Sequence, residues 1–73
     1  MQYKYNPDDF NKYIAADMKR VYKLYEEKKT VELIYAIDNL YYSLKDLRTF
    51  KILPAKEVIE MQEYFRSLQY DLI

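Results

Sequence analysis

Cysteine, histidine and glycine are all missing from this sequence of 73 residues. Without cysteine there is no disulfide, no thiolate nucleophile and no Cys-ligated zinc or iron–sulfur site. Without histidine the commonest metal ligand and the commonest general base are gone. Without glycine there is no low-cost left-handed residue for tight hairpins or helix C-caps, and no glycine-rich loop to cradle a phosphate. Two further features are scarce. No apolar run reaches the roughly 18 residues of a membrane span, and MQYKYNPDDF has no apolar core of a secretory signal. The 12 basic and 12 acidic residues balance, so the basic excess usual in proteins that hold nucleic acid is lacking. These exclusions predict an all-α, soluble, cytoplasmic protein with no membrane partner and no cofactor.

What is abundant is tyrosine, ten residues of the 73. A chain this short buries only about 60% of its unfolded surface, so its core is marginal without a staple or a partner. With disulfides excluded, association is the usual remaining route to stability. A single domain over 1–73 that self-associates, as a homodimer, is the expectation.

Apolar periodicity divides the chain into three helices. Asn6-Pro7-Asp8-Asp9 reads as a helix start, with Asn as cap, Pro in the first turn and two acids at the positive end of the dipole. Phe10, Ile14, Met18, Val21, Leu24 and Tyr25 then form one stripe, predicting a helix over about 7–28 after a short extension at 1–6. Lys28-Lys29-Thr30 marks a break, with Thr30 as the next cap. A single rod from 7 to 50 is the alternative, because nothing in that stretch forbids helix. The second helix, about 31–50, carries Leu33, Ile34, Ile37, Leu40, Tyr41, Leu44 and Leu47 in one broad arc at ~100° per residue, wide enough for two neighbours. Pro54 restarts the chain as a third helix over about 54–70, with Val58, Met61, Phe65, Leu68 and Leu72 inward. Three helices with short connections make an up-down-up bundle.

The second helix is apolar on its far side too. Val31, Tyr35 and Tyr42 line up opposite the core arc, with Phe50 further round. Tyrosine offers large contact area, few rotatable bonds and a hydroxyl that tolerates water, which suits a second interface with a copy of the chain or an unidentified protein partner.

Chemistry has little to work with. Ser43 and Ser67 lie within helices and have no histidine to activate them. Glu57, Glu60 and Glu63, and likewise Asp8, Asp9 and Asp17, read as solvated acidic faces rather than metal ligands. No enzyme and no metal site are expected. Nucleic acid is the less favoured partner. Lys19, Arg20, Lys23, Lys28 and Lys29 gather basic charge, with Tyr22 and Tyr25 between them able to stack on bases. Residues 1–6 read first as a loose terminus whose tyrosines lean on the bundle; alternatively Gln2, Lys4 and Asn6, alternating with Tyr3 and Tyr5, could face a major groove as the paired strands of a ribbon-helix-helix dimer do. The favoured function is a small non-enzymatic protein–protein interaction module, acting as regulator, adaptor or inhibitor. A dimeric DNA-binding protein and a structural oligomer subunit are the alternatives. Size and composition would suit a phage, an archaeal virus or another mobile element.

Overall fold

The computed structural model describes residues 3–73, and they form three helices: α1 (Lys12–Glu26), α2 (Thr30–Thr49) and α3 (Ala55–Leu72). Cross-helix bonds fix their directions. Tyr13 and Asp17 of α1 meet Asp46 and Ser43 of α2, so rising numbers on one helix face falling numbers on the other. Gln62 and Arg66 of α3 meet Tyr41 and Asp38 of α2 in the same reversed order. Both neighbours therefore run antiparallel to α2, the up-down-up arrangement that the periodicity implies. At 1.5 Å per residue α2 is about 30 Å long, which spans the 33 Å long axis of the molecule.

The first helix begins later than the sequence suggests. Asn6 does cap, its Oδ1 accepting from the Asp8 N–H at 3.0 Å, but it starts only one 3-10 turn, at Pro7–Asp9. The backbone then extends at Phe10, and Asn11 restarts the chain by accepting from the Tyr13 N–H at 2.9 Å. Asparagine competes with helical backbone bonds and so favours a cap over a helix interior. That preference moves the start of α1 from residue 7 to residue 12. Extending the backbone at Phe10 also brings its ring edge-on to Tyr5, with centroids 6.2 Å apart.

The breaks on either side of α2 are both left-handed. Lys28 has φ 57° and Lys51 has φ 58°. At the first break the Lys29 N–H donates to Leu24 O at 3.0 Å and the Lys28 N–H to Tyr25 O at 3.1 Å. At the second, Ile52 N–H donates to Leu47 O at 2.8 Å and Lys51 N–H to Arg48 O at 3.0 Å. This paired pattern is the Schellman motif, which usually employs glycine. Here lysine takes the position at both ends, so the chain breaks at 28 and is not one rod from 7 to 50. Thr30, expected as a cap, is instead the first residue of α2, and Lys29 at the cap position makes no side-chain cap bond. Pro54 likewise stands at the cap of α3 with ψ 144°, not inside it, and α3 continues to Leu72.

The core is a single cluster of fourteen buried side chains. Six come from α2: Leu33, Ala36, Ile37, Leu40, Leu44 and Leu47. Ile14, Met18, Val21 and Tyr22 close over it from α1, and Val58, Met61, Phe65 and Leu68 from α3. Two members of the expected arc lie outside the core: Tyr41 is 40% exposed and Ile34 is half-buried, because both sit at the border of the arc, where α2 turns away from α1 and α3.

Leu40→Ala should lower stability by about 2–5 kcal/mol, because it empties a fully buried position at the centre of the bundle. A shift of only a few tenths in denaturant unfolding would mean the core lies elsewhere. Lys28→Gly and Lys51→Gly should each raise stability, by roughly 0.5–1 kcal/mol, since a Cβ is unfavourable at positive φ. A loss of stability in both variants would contradict the left-handed caps.

Candidate functional site

The outer face of α2 carries the most extensive exposed apolar surface on any one helix. Val31 is 61% exposed, Tyr35 64% and Tyr42 63%. Helical geometry places all three within about 40° of one another, in a ridge about 16 Å long on the side away from the core arc. Tyr41 widens it, meeting Tyr42 edge-on at 5.7 Å between ring centroids. The Arg66 guanidinium lies 6.0 Å over the Tyr41 ring and bonds Asp38 at 2.8 Å, so this margin of the ridge is tied to α3. Phe50 does not join it. At 72% exposed it lies about a quarter turn further round, in a separate cleft of about 300 Å³ that it lines with Asn11, Tyr13, Asp46, Leu47 and Ile52.

The basic residues of the candidate nucleic-acid patch, Lys19, Arg20, Lys23, Lys28 and Lys29, are all exposed, but two have acidic neighbours. Lys19 pairs with Asp8 at 3.5 Å and Lys29 with Glu27 at 3.7 Å. Lys19, Arg20 and Lys23 share one arc of α1, while Lys28 and Lys29 stand on the turn after it. The aromatic half of the pattern is placed differently from the expectation. Tyr22 is 5% exposed and belongs to the core, so its ring is closed to a base, while Tyr25 is half-buried and bonds Asp71. Gln2 lies outside the described residues. Lys4 is exposed, with its ammonium 5.5 Å over the Tyr5 ring.

Residues 3–6 alternate as expected, with Tyr3 and Tyr5 half-buried and Lys4 and Asn6 exposed. They form no strand; the described residues contain none. They lie instead as a strap, bent at Lys4 and Tyr5, against α1 and α3. Tyr3 stacks on Tyr22 with centroids 3.8 Å apart and planes 8° from parallel, and meets Tyr25 edge-on. Tyr5 packs against Tyr64 and Phe65. Two bonds hold the strap's backbone: the Lys4 N–H donates to Tyr64 Oη at 3.1 Å, and the Tyr22 hydroxyl donates to Tyr5 O at 2.7 Å. Periodicity alone does not reveal this aromatic cluster. Its signal in the sequence is the pair Tyr3 and Tyr5 at spacing two, together with Tyr22 and Tyr25 at spacing three.

Several phenols are held in the neutral form. Burial, then the neighbouring Tyr64 and Tyr3, push the Tyr22 hydroxyl far above its ordinary range. Burial raises Tyr3 as well, with the Glu26 carboxylate adding to the effect. Tyr3 Oη is buried without a partner in bonding geometry. Tyr25 is raised by its hydrogen bond to Asp71, and Tyr13 by its bond to Asp46 at 3.1 Å.

Ser43 Oγ donates weakly to Asp17 at 3.4 Å, and Ser67 donates to the Tyr64 carbonyl of its own helix. Among the described residues no three carboxylates gather as a metal ion would need, and no helix is long and apolar enough to cross a membrane. Comparison with known proteins finds no matching family model, no matching curated protein and no matching solved structure.

A phenol whose pKa is raised by folding stabilises the fold fully below its unfolded value of about 10, and that stability is lost as pH climbs through and above 10. Unfolding measured between pH 10 and 12 should therefore show falling stability. Tyr22→Phe should make the fall shallower by up to about 1.4 kcal/mol per pH unit, while costing about 1 kcal/mol at neutral pH through the bond lost to Tyr5. Equal slopes for the two chains would show that Tyr22 titrates normally.

Proposed function

We propose that the chain is a small non-enzymatic interaction module, a regulator, adaptor or inhibitor, which grips a protein with the Val31–Tyr35–Tyr42 ridge of α2. One observation carries this reading. Each of the three side chains is more than three-fifths exposed, while the fourteen-residue core is closed without them. Apolar surface left in water gains about 25 cal/mol per Å² when it is covered. On the central helix of a small bundle only an outside surface can supply that cover.

The ridge is also suited to binding in its mechanics. α2 is clasped from both sides, so its outer face is ordered before any partner arrives, and little entropy is lost on docking. The tyrosines carry hydroxyls that keep the surface soluble when unoccupied and can bond across an interface when occupied. The first partner to seek is a second copy, since a chain of this size without disulfides gains stability by association. In this reading the protein works in solution inside the cell.

The double variant Tyr35→Ala, Tyr42→Ala tests the reading, because neither residue belongs to the core. Its helical circular dichroism should match that of the native chain. Its self-association, followed by sedimentation equilibrium, should weaken at least about tenfold, the loss of roughly 1.4 kcal/mol expected of interface anchors. A native chain that stays monomeric throughout, or a variant that associates equally well, would overturn the homodimeric form of the proposal.

A further inference from the structure

The bundle has a second binding surface that is already occupied, and its occupant is the chain's own N-terminal strap. α1 and α3 touch each other far less than either touches α2. The furrow between them is floored by Tyr22 and Phe65, whose rings are 5.5 Å apart, and walled by Tyr25 and Tyr64. Tyr3 and Tyr5 fill it, and the two backbone bonds to Tyr64 and Tyr22 set the register of whatever lies there. What the furrow holds is thus defined on the molecule itself: a bent Tyr-x-Tyr segment read through two rings, one N–H and one carbonyl.

The strap can leave without opening the core. None of the fourteen core residues precedes Ile14. α1 has its own cap in Asn11 and does not need the strap in order to start. Between strap and helix stands the turn at 7–9, whose Asn6 cap bond and Lys19–Asp8 ion pair are both exposed. Lifting the strap costs no core side chain but uncovers Tyr22. Bare, the furrow exposes aromatic surface, and any second copy carries the segment that fits it.

We propose that this furrow accepts residues 3–5 of a second copy in place of its own, so that two chains associate by exchanging N-terminal straps. The strap's contacts with Tyr22, Tyr25, Tyr64 and Phe65 are then kept across the pair, and what changes is the path of residues 6–11 with its own contacts, Phe10 on Tyr5 and Asp8 with Lys19. Exchange of an identical element between protomers is a low-cost route to a dimer for this reason. The surface is distinct from the α2 ridge, and the two can fail separately.

Two experiments on the whole chain test it. In the first, residues 6–9 are deleted. About 14 Å of extended chain then joins Tyr3 to Asn11, half the roughly 28 Å of the native connection, so docking on its own furrow is strained. The shortened chain should sediment as a dimer, should revert to a monomer when Tyr3→Ala and Tyr5→Ala are added, and should stay a dimer with Tyr35→Ala and Tyr42→Ala. A folded, monomeric shortened chain would overturn the proposal, as would a dimer indifferent to Tyr3 and Tyr5. In the second, tagged and untagged chains of native length are unfolded together and refolded at high concentration. Capture of the tag should retain untagged chain, and Tyr3→Ala with Tyr5→Ala in both should abolish that retention. Absence of retention, or retention that survives those substitutions, would refute strap exchange whether or not the shortened chain folds.

Discussion

Everything in this molecule depends on α2 burying one side between two neighbours. Leu33, Ala36, Ile37, Leu40, Leu44 and Leu47 supply six of the fourteen core side chains, and α1 and α3 are held mainly by their contact with that arc. Polar bonds at its margins are few and half-exposed. Arg66 to Asp38 at 2.8 Å is the best of them, and a pair that open to water contributes about 1 kcal/mol or less. The bundle is therefore a hydrophobic object with polar trim, and its outer face is free of structural duty.

A chain without glycine still has to turn, and the way it does so comes from its packing. The Schellman bonds at Lys28 and Lys51 satisfy carbonyls that would otherwise be orphaned at the helix ends, and each net backbone bond is worth about 1 kcal/mol. That roughly matches the penalty of a Cβ at positive φ, so lysine is tolerated where glycine would be easier. A lysine there also places positive charge beside the negative end of the helix it terminates.

The three helices are legible in the sequence because their inward positions repeat at helical spacing with few interruptions. Ile14, Met18, Val21, Val58, Met61, Phe65 and Leu68 all lie in the core as their spacing implies. The start of α1 is not legible, because Asn6 and Asn11 are both good caps, and the contact of Phe10 with Tyr5 that accompanies the later start does not show in the sequence pattern. Tyr22 reads as surface for a related reason: tyrosine sits equally well wet or dry, and the strap that covers it comes from far away in sequence. Of the candidate interface, the alignment of Val31, Tyr35 and Tyr42 comes from angle alone. Phe50 sits at the helix end, where angle no longer fixes neighbours, and there it faces Tyr13 and Ile52.

The order of contacts along the chain has a kinetic consequence. α1 packs on α2 and α2 on α3, so most contacts join elements adjacent in sequence, the low contact order of domains that fold in microseconds to milliseconds. The Lys4–Tyr64 bond is of another kind, since it spans 60 positions and closes nearly the whole chain into one loop. Its site on α3 is built only once all three helices are in place, and closing so long a loop carries its own entropy. Loop length thus favours docking of the strap after the helices have packed. A strap that docks last would leave, in each folding event, an interval in which the aromatic furrow is complete and empty.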